Sequence, residues 1–435
     1  MSRRTASNFL VKSFFEKHPL EAARSLEALS HEEARLILLA LPLEIACAAI
    51  KFLTPQIAAL ILDDFSGEQA GPFLQNVSPK RAADILLSLP AEKRIQFLSV
   101  LEPSHGRTLE ALLTYPPQTA GGMMSPGATA LKKEMTVEGA IRTIRALGKK
   151  KPLYYVYVTD NENRLQGVLA MRDLILADPH APIESVMLKD VVSVPATLDR
   201  EEVVKLAAQR RYLTMPVVDS ENRILGTIHS EDLIEAAEEE ASEDMQKMVG
   251  AGGDEEALSP VLFSLKKRLP WLQVNLATAF LAASVVGLFE NTIARITALA
   301  VFLPVVAGQG GNTGAQTLAV VIRGLALGQI DKSLAWRVMT KEACLGFLNG
   351  VSVGIVTALV AYLWEGNPYF GLVIGLAMVL NMAIACIAGA GIPIAMRAVG
   401  WDPAQSSSII LTTVTDVLGF FSFLGLATLF QHLLV

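Results

Sequence analysis

The sequence has few cysteines, and they do not group. Its 435 residues include three, Cys47, Cys344 and Cys386, with no CxxC spacing among them. We therefore expect three small buried side chains, and neither a disulfide framework nor a zinc site. The opening stretch MSRRTASNFLVKSFFEKH also lacks the long apolar core of a secretory signal. We expect the first half of the chain to remain in the cytoplasm.

Charge is scarce in one half of the chain and unbalanced in the other. Residues 260–435 hold 9 Lys and Arg and 6 Asp and Glu, whereas residues 1–259 hold 28 and 37. Phosphate binding needs basic patches, so the acidic first half argues against nucleic acid as a partner. The six His are scattered, and no nucleophile–base set or phosphate loop is visible. We do not expect an enzyme.

The second half contains apolar runs long enough to cross a hydrocarbon core of about 30 Å. There are five, at 272–289, 296–322, 343–364, 369–396 and about 406–433. Positive charge marks the cytoplasmic side of such helices. Basic residues collect before the first run and in the loops after the second and fourth: Lys266, Lys267, Arg268, Arg323, Lys332, Arg337, Lys341 and Arg397. This distribution places the N-terminus inside and the C-terminus outside.

One carboxylate lies inside the last apolar run. Asp416 is the only charge between Asp402 and the C-terminus, and a carboxylate at mid-bilayer costs roughly 2.5–3.5 kcal/mol on insertion scales. No second acid lies within the predicted runs. We therefore expect a partner or an aqueous surrounding that offsets the cost at Asp416.

The second run carries the motif LPVVAGQGGNTGAQTLAVVIRGLALG at 303–328. Its GQGGNTG is too glycine-rich to be held as regular helix by propensity alone, and loosened backbone survives in lipid only against protein or a watery cavity. Two interpretations stay open: close packing with mutually bonded amides, or the lining of a solute path. The second interpretation assigns the lining to Gly310, Gly311, Asn312, Thr313, Gly314 and Gln316.

A repeat organises residues 123–238. VTDNENRLQGVLAMRDLI at 158–175 recurs as VVDSENRILGTIHSEDLI at 217–234, with nine of eighteen positions identical. Each copy predicts a strand, an Asn-containing turn, a strand and a helix. This resembles a tandem pair of CBS domains, about 123–180 and 181–238, which implies a regulatory unit. Ala170 and His229 replace the Ser or Thr usual in CBS nucleotide sites, while Tyr155, Arg172 and Asp173 remain as candidates to hold an adenosine nucleotide such as ATP.

Two further segments flank the repeat. Residues 19–120 show turns 11 to 13 residues apart, with helix-forming sequence after most of them, which predicts short helices stacked in an α-solenoid: Pro42, Pro55, Gly67, Pro79, Pro90 and Pro103. Residues 231–257 hold eleven acids and one base, Lys247. Like charges at helical spacing repel, and Mg²⁺ prefers carboxylates and water. Two interpretations stay open, a solvated helix or a helix whose acids bind cations; we favour the second.

The order of these segments resembles the MgtE family of bacterial magnesium channels. YPPQTAGGMMSP at 115–126, the motif at 303–328 and DPAQSSSIILTTVTD at 402–416 carry the resemblance. It implies a homodimer in the bacterial plasma membrane, with two copies of Asp416 holding hydrated Mg²⁺ in a pore on the twofold axis. It also implies that an acidic plug helix closes the pore when cytoplasmic Mg²⁺ binds sensor acids: Asp232, Glu235, Glu240, Glu243, Asp244 and Asp402. Arg211 stands where the family has an acidic residue, which implies weaker Mg²⁺ gating.

The expected molecule is thus a multidomain membrane protein that takes up Mg²⁺. Its parts are a helical domain at 1–122, tandem α/β CBS domains at 123–238, an acidic connecting helix at 239–262 and a five-helix all-α transmembrane domain at 263–435. Mn²⁺, Co²⁺ and Ca²⁺ also suit a carboxylate ring. Two rival functions stay open: a secondary transporter that couples Mg²⁺ to Na⁺ or H⁺, and a membrane-anchored CBS sensor without transport.

Overall fold

The computed structural model describes residues 3–147, 153–210, 212–331 and 333–434. Arg211 and Lys332, used in the predictions above, lie outside the described residues. The chain divides into two compact units, one up to Glu238 and the other from Glu239 onward.

The first unit begins with short helices whose starts are set by capping residues. Helices start at or one residue after each predicted turn, and Ser30, Thr54, Ser66 and Ser78 accept a hydrogen bond from a backbone N–H of the helix that follows. Ser30–Glu33 and Ser66–Gln69 form capping boxes. The helices are α1 (Arg3–Lys17), α2 (Pro19–Glu27), α3 (His31–Ala40), α4 (Leu43–Ile50), α5 (Pro55–Asp63), α6 (Gly67–Asn76), α7 (Pro79–Leu87), α8 (Ala91–Ser99) and α9 (Pro103–Leu113).

These helices pack in sequence order, and from α2 to α9 each lies against the next but one. Their inward Ala, Leu, Ile and Phe side chains form one continuous core, in which Phe65 and Phe97 are fully buried. The helix positions predicted from the turns are confirmed; the α-solenoid stays an interpretation of this packing order.

The remainder of the first unit alternates strands and helices. Its elements are α10 (Ala120–Met123), β1 (Ser125–Pro126), β2 (Ala130–Lys132), α11 (Val137–Leu147), β3 (Tyr155–Thr159), β4 (Leu165–Ala170), α12 (Met171–Leu176), α13 (Ile183–Val186), β5 (Val194–Pro195), α14 (Arg200–Arg210), β6 (Thr214–Val218), β7 (Ile224–His229) and α15 (Ser230–Met248). One sheet has the order β2-β3-β4 and the other β1-β7-β6-β5. In each repeat a parallel pair precedes an antiparallel hairpin.

The two hairpin turns confirm the predicted role of asparagine. Asn163 and Asn222 both have φ of 62°, in the left-handed region that Asn tolerates. The turns also pair with each other, since Leu165 N donates to Asn222 O at 2.9 Å and Ile224 N donates to Asn163 O at 3.2 Å. The repeat in the sequence therefore becomes a symmetric contact between its two copies.

The second unit consists mainly of long helices. After α15 come α16 (Val261–Leu288), α17 (Glu290–Arg295), α18 (Ala298–Ala326), α19 (Ala335–Glu365), α20 (Pro368–Ala398), α21 (Ser407–Leu429) and α22 (Gln431–Leu434). In the described chain, four helices are long and apolar enough to cross a membrane: α16, α19, α20 and α21. The fifth predicted span, α18, forms a 29-residue helix but is not among the four. The count of five spans stays a prediction.

The glycine-rich stretch GQGGNTG is regular helix in the structure. Helix α18 runs without a break through this stretch and through Pro304, and α20 runs through Pro393. Packing supplies what propensity lacks: a Cβ on Gly314 would lie 2.9 Å from Leu411 Cδ1 of α21. A Cβ on Gly389 of α20 would lie 2.5 Å from the Gly314 carbonyl oxygen. Glycine lets these helices approach closely.

Helix α19 packs through its glycines in the same way. Gly346, Gly350 and Gly354 are buried against the backbone of α20. The cysteines are all free, with Cys47 and Cys386 buried as expected. Cys344 departs from the prediction, since it lies on the exposed face of α19 next to the buried stripe.

Candidate ion pathway and sensor sites

Asp416 lies in the middle of α21, as the tenth of its 23 residues. Its side chain is half-buried within the chain, beside a fully buried stripe made of Leu411, Thr415, Gly419 and Phe423. In the parts of the chain that the structure describes, no basic side chain lies within 4 Å of the Asp416 carboxylate. Within the described residues, this charge is therefore left without an ionic partner.

A buried asparagine connects α18, α20 and α21 near this carboxylate. Asn381 of α20 is fully buried, and its Nδ2 donates to Val306 O of α18 at 2.6 Å. Its side chain fills the space beside Gly310 of α18 and Gly419 of α21, where a Cβ would lie 2.5 and 2.7 Å away. Asn381 Oδ1 has no hydrogen-bond partner among the described residues.

These contacts place Asp416 at the level of the glycine motif. Helix α18 meets α21 at Gly314 and Leu411 and, through Asn381, at Gly310 and Gly419. Asp416 lies between Leu411 and Gly419 in the sequence, so its height in the bundle falls between those of Gly310 and Gly314. Gly314 and Asp416, which are 102 residues apart in the sequence, thus fall in one layer of the helix bundle.

The predicted lining residues divide into two faces of α18. Gly310, Thr313 and Gly314 are buried against neighbouring helices, which is the close-packing interpretation. Asn312 and Gln316 are exposed, and Gly311 is half-buried with open space beside its Cα. Within one chain, the structure therefore brings only the second group to an outward face.

Sequence reasoning missed a buried acid at the start of the third predicted run. Glu342 of α19 is 2 % exposed, and its Oε2 accepts a hydrogen bond from Thr317 Oγ1 of α18 at 3.1 Å. Its Oε1 lies 2.5 Å from Lys341 Nζ. Glu342 falls one residue before the predicted run 343–364. The sequence feature that could have revealed its burial is its spacing: Glu342 lies four residues before Gly346, on the same helix face as the glycine stripe of α19.

Two of the predicted sensor acids meet across a lysine in the second unit. Lys247 Nζ lies 2.8 Å from Glu243 Oε1 and 3.3 Å from Asp402 Oδ2. Burial alone lowers the pKa of Lys247, but the hydrogen bonds and attraction of the two carboxylates outweigh it and raise that pKa well above its ordinary value. The ammonium is therefore held charged between Glu243 and Asp402.

The end of α15 is also attached to the membrane helices by apolar and backbone contacts. Met248 packs with Leu318, Ile322 and Leu411, and Ser408 Oγ donates to its carbonyl oxygen at 2.5 Å. Ser406 N donates to Lys247 O at 2.8 Å. The helix end thus rests on α18 and on the start of α21, the helix that carries Asp416.

A second lysine meets sensor acids in the first unit. Lys80 Nζ lies 3.7 Å from Asp232 Oδ1, 4.0 Å from Glu235 Oε2 and 3.3 Å from Asp84 Oδ2. Burial lowers the pKa of Lys80, but the attraction of the three carboxylates leaves it raised. The remaining sensor candidates, Glu240 and Asp244, are half-buried on α15.

No trio of His, Cys, Asp or Glu within the described ranges is arranged to hold a metal ion. Four of the predicted sensor acids lie in two pairs beside a lysine: Asp232 and Glu235 beside Lys80, and Glu243 and Asp402 beside Lys247. The assignment of these acids as Mg²⁺ ligands stays a prediction.

The three nucleotide candidates lie at one end of a hairpin. Tyr155 pairs with Ala170 in the β3–β4 ladder, and Met171 N donates to Tyr154 O at 3.0 Å. Arg172 and Asp173 follow at the start of α12, with exposed side chains. The fold therefore brings the three residues to the same end of the β3–β4 hairpin.

Three family descriptions match the chain and together span most of it. "MgtE intracellular N domain" matches residues 17–118 and "CBS domain" matches 120–180 and 183–239. "Divalent cation transporter" matches residues 303–426, which include the glycine motif, Glu342 and Asp416.

Whole proteins are similar as well. The magnesium transporter MgtE of Thermus thermophilus is 34% identical over 421 residues, 95% of this chain and 93% of that protein. The magnesium transporter MgtE of Bacillus subtilis is 33% identical over 336 residues, 77% of this chain and 74% of that protein. A crystal structure described as the cytosolic domain of the Mg²⁺ channel MgtE with ATP is 32% identical and covers 52% of this chain and 92% of its own, with a TM-score of 0.48.

Proposed function

Because the chain belongs to the MgtE family of magnesium transporters, we propose that it is a channel for Mg²⁺ uptake across a bacterial plasma membrane. Transport of Mg²⁺ follows from the family. The channel mechanism, the inward direction and control by cytoplasmic Mg²⁺ are our proposal. The chain enters the membrane with its N-terminus inside and ends outside, as the distribution of basic residues predicts.

One observation supports the proposed ion pathway most directly: Asp416 lies in the same layer of the helix bundle as Gly310 and Gly314 of α18. Mg²⁺ sheds water reluctantly and is held by one or two carboxylates with several waters retained. A half-buried carboxylate beside close-packed helices suits a hydrated ion better than a stripped one. A ring of carboxylates also selects cations over anions.

A homodimer completes this site. Two copies of Asp416 across a twofold axis would share one divalent ion, which offsets the cost of each charge in the membrane. Asn312 and Gln316 on the outward face of α18 would then meet water or the partner copy instead of lipid. Helix α18 has 29 residues, about 44 Å at 1.5 Å per residue, so it is long enough to be the fifth span.

Gating uses the acidic helix. At high cytoplasmic Mg²⁺ the ion bridges acids of α15 and its neighbours, Glu240 and Asp244 among them, and holds the plug against the pore. At low Mg²⁺ the acids repel one another and the plug loosens. The contact of Met248 with α18 and α21 supports the view that this helix end acts on the pathway.

The test is Mg²⁺ flux into liposomes that contain the purified protein, with a fluorescent Mg²⁺ indicator inside. Asp416→Ala and Asp416→Asn should reduce the flux about a hundredfold or more, because a carboxylate contact to the ion is removed. Glu365→Gln is the matched control, since Glu365 ends α19 with an exposed side chain. Normal flux in both Asp416 variants would refute the pathway.

A second candidate function rests on Glu342. The absence of another membrane acid argued against a transporter coupled to Na⁺ or H⁺, and the structure supplies one. The liposome assay separates the two functions, because a channel passes Mg²⁺ without a Na⁺ or proton gradient. Strict dependence of the wild-type flux on either gradient would establish the coupled transporter instead.

The CBS pair adds a site for an adenosine nucleotide at Tyr155, Arg172 and Asp173. An aromatic ring and a guanidinium suit a base and a phosphate, and their common place at one end of the β3–β4 hairpin supports the proposal. Mg²⁺ gating and nucleotide binding would then act on the same soluble unit.

A further inference from the structure

We propose that Glu342 is a positioning residue for ion permeation, which acts through Thr317 to fix the rotation of α18. This inference rests on the proposed function, because it concerns how the pathway helix is held. Glu342 does not touch the ion; it determines which side of α18 faces the pathway.

The contacts form a chain across three helices. Thr317 Oγ1 of α18 lies 3.1 Å from Glu342 Oε2 of α19 and 3.3 Å from Cys386 Sγ of α20. A hydroxyl has one hydrogen, and a carboxylate is the stronger acceptor. The hydroxyl of Thr317 therefore donates to Glu342, and the sulfur of Cys386 lies within hydrogen-bonding distance of the same hydroxyl. All three side chains are buried.

The position of Thr317 explains why these side-chain hydrogen bonds affect the orientation of α18. Residues four apart lie on one face of a helix, so Thr313 and Thr317 mark the buried face, whereas Asn312 and Gln316 mark the outward face. Each amide precedes a buried threonine by one residue. A rotation of α18 by one residue step, about 100°, would exchange the two faces.

The close packing of glycines around Thr317 does not by itself fix the rotation of α18. A Cβ on Gly389 would lie 2.5 Å from Gly314 O and 3.1 Å from Thr317 Cβ. Glycines allow the close approach but supply no directional bond. The hydrogen bond from Thr317 to Glu342 is a directional contact on α18, as the bond from Asn381 to Val306 O is nearer the start of that helix. It therefore favours one rotation among those that the smooth surface permits.

The electrostatics of Glu342 favour a fixed role over a transported proton. A buried carboxylate is costly unless it is paired and hydrogen-bonded. Lys341 offers the charge, with a side chain that is 63% exposed, and Thr317 offers the hydrogen bond. Both carboxylate oxygens are therefore occupied by groups of the protein.

The experiment compares variants that keep or remove the acceptor. Glu342→Gln keeps an oxygen for the hydroxyl of Thr317, whereas Glu342→Ala removes it. Thr317→Ser keeps the donor, and Thr317→Val removes it at similar volume. We expect Glu342→Ala and Thr317→Val each to lose Mg²⁺ flux about tenfold, the effect of one lost buried hydrogen bond, and Glu342→Gln and Thr317→Ser to restore it. Glu365→Ala, at the exposed end of the same helix, is the control.

Two further readouts separate positioning from stability. The ratio of Mg²⁺ to Mn²⁺ flux should change in Glu342→Ala and Thr317→Val and stay at the wild-type value in the two conservative variants. Gln316→Cys, with Cys47 and Cys344 replaced by Ser, should react with a water-soluble thiol reagent several-fold more slowly when Glu342→Ala is added. A general loss of stability would leave the ratio of Mg²⁺ to Mn²⁺ flux unchanged. It would also not change the labelling rate at position 316 alone.

Different outcomes overturn the inference. Glu342→Gln as inactive as Glu342→Ala, with Thr317→Val near wild type, would show that Glu342 itself carries a charge or proton. Unchanged flux ratios and labelling in both disruptive variants would also refute it. If the wild type passes no Mg²⁺, the proposed function fails, and the labelling of Gln316→Cys still decides whether Glu342 positions α18.

Discussion

At the residue scale, two lysines reduce the electrostatic repulsion between the predicted sensor acids that bound Mg²⁺ would otherwise have to offset. Lys247 lies between Glu243 and Asp402, and Lys80 lies beside Asp232 and Glu235. An ammonium is a compact point charge that offsets part of the repulsion between carboxylates. In the proposed gating, these lysines would contribute to closure in addition to bound Mg²⁺.

Lys247→Met tests this contribution, since it removes the charge and keeps much of the length. We expect the variant to pass several-fold more Mg²⁺ than the wild type at low internal Mg²⁺, because Glu243 and Asp402 then repel each other. Inhibition by internal Mg²⁺ should also become steeper, since the freed carboxylates favour a divalent ion. Flux through liposomes at a series of internal Mg²⁺ concentrations measures both effects.

Lys267→Met is the matched control for Lys247→Met. Lys267 belongs to the same unit and pairs with Asp254 at 2.8 Å, away from Asp402. It should leave the response to internal Mg²⁺ unchanged. An equal response in the two variants would show that the bridge between Glu243 and Asp402 has no part in closure.

At the scale of elements, glycine has opposite consequences at neighbouring positions of α18. A Cβ on Gly310 would meet the Asn381 side chain at 2.5 Å, whereas Gly308 has nothing within 4 Å. Helix propensity favours alanine at both positions. Packing against α20 therefore decides where glycine is required, and the same argument holds for the stripe on α19.

Gly310→Ala should destabilise the membrane half by about 1–3 kcal/mol, the usual cost of inserting a methyl group into a filled core. Gly308→Ala should be neutral or stabilising by up to about 1 kcal/mol, because only the propensity changes. Thermal unfolding of the detergent-solubilised protein compares the two. A melting temperature for Gly310→Ala equal to that of Gly308→Ala would contradict the packing found here.

At the scale of the whole molecule, a single chain exposes polar and charged groups on the surface of its membrane helices. Asp416 has no ionic partner among the described residues, and Asn312 and Gln316 face outward from α18. Such groups are costly against lipid. In the proposed homodimer, a second copy of the chain, with water and a divalent ion between the copies, would satisfy all three.

We expect light scattering of the detergent-solubilised protein to give the mass of two chains. Asp416→Cys, with the exposed Cys344 replaced by Ser, should cross-link the two copies with a short thiol-specific reagent, because the proposed pore axis would bring position 416 of each chain together. Phe421→Cys, on an exposed part of the same helix, is the comparison. A monomeric mass, or cross-linking at position 421 alone, would exclude this arrangement.

The sequence by itself determined the order of the parts and many of their boundaries. Turn residues such as Pro55 and Pro79 start helices because their φ suits the first helical turn, and the repeated Asn163 and Asn222 occupy left-handed positions in matching hairpins. These features depend on a few neighbouring residues, so a linear pattern records them. The charge asymmetry likewise separated the acidic half from the membrane half.

Only the tertiary structure decided what the membrane residues touch. It kept GQGGNTG helical, because neighbouring helices supply the packing that glycine lacks, and it divided the motif into a buried and an outward face. It also buried Glu342 beside Thr317 and placed Lys247 between Glu243 and Asp402. These contacts join residues far apart in the chain, and local propensity carries no information about which distant surface will offset a missing side chain or a buried charge.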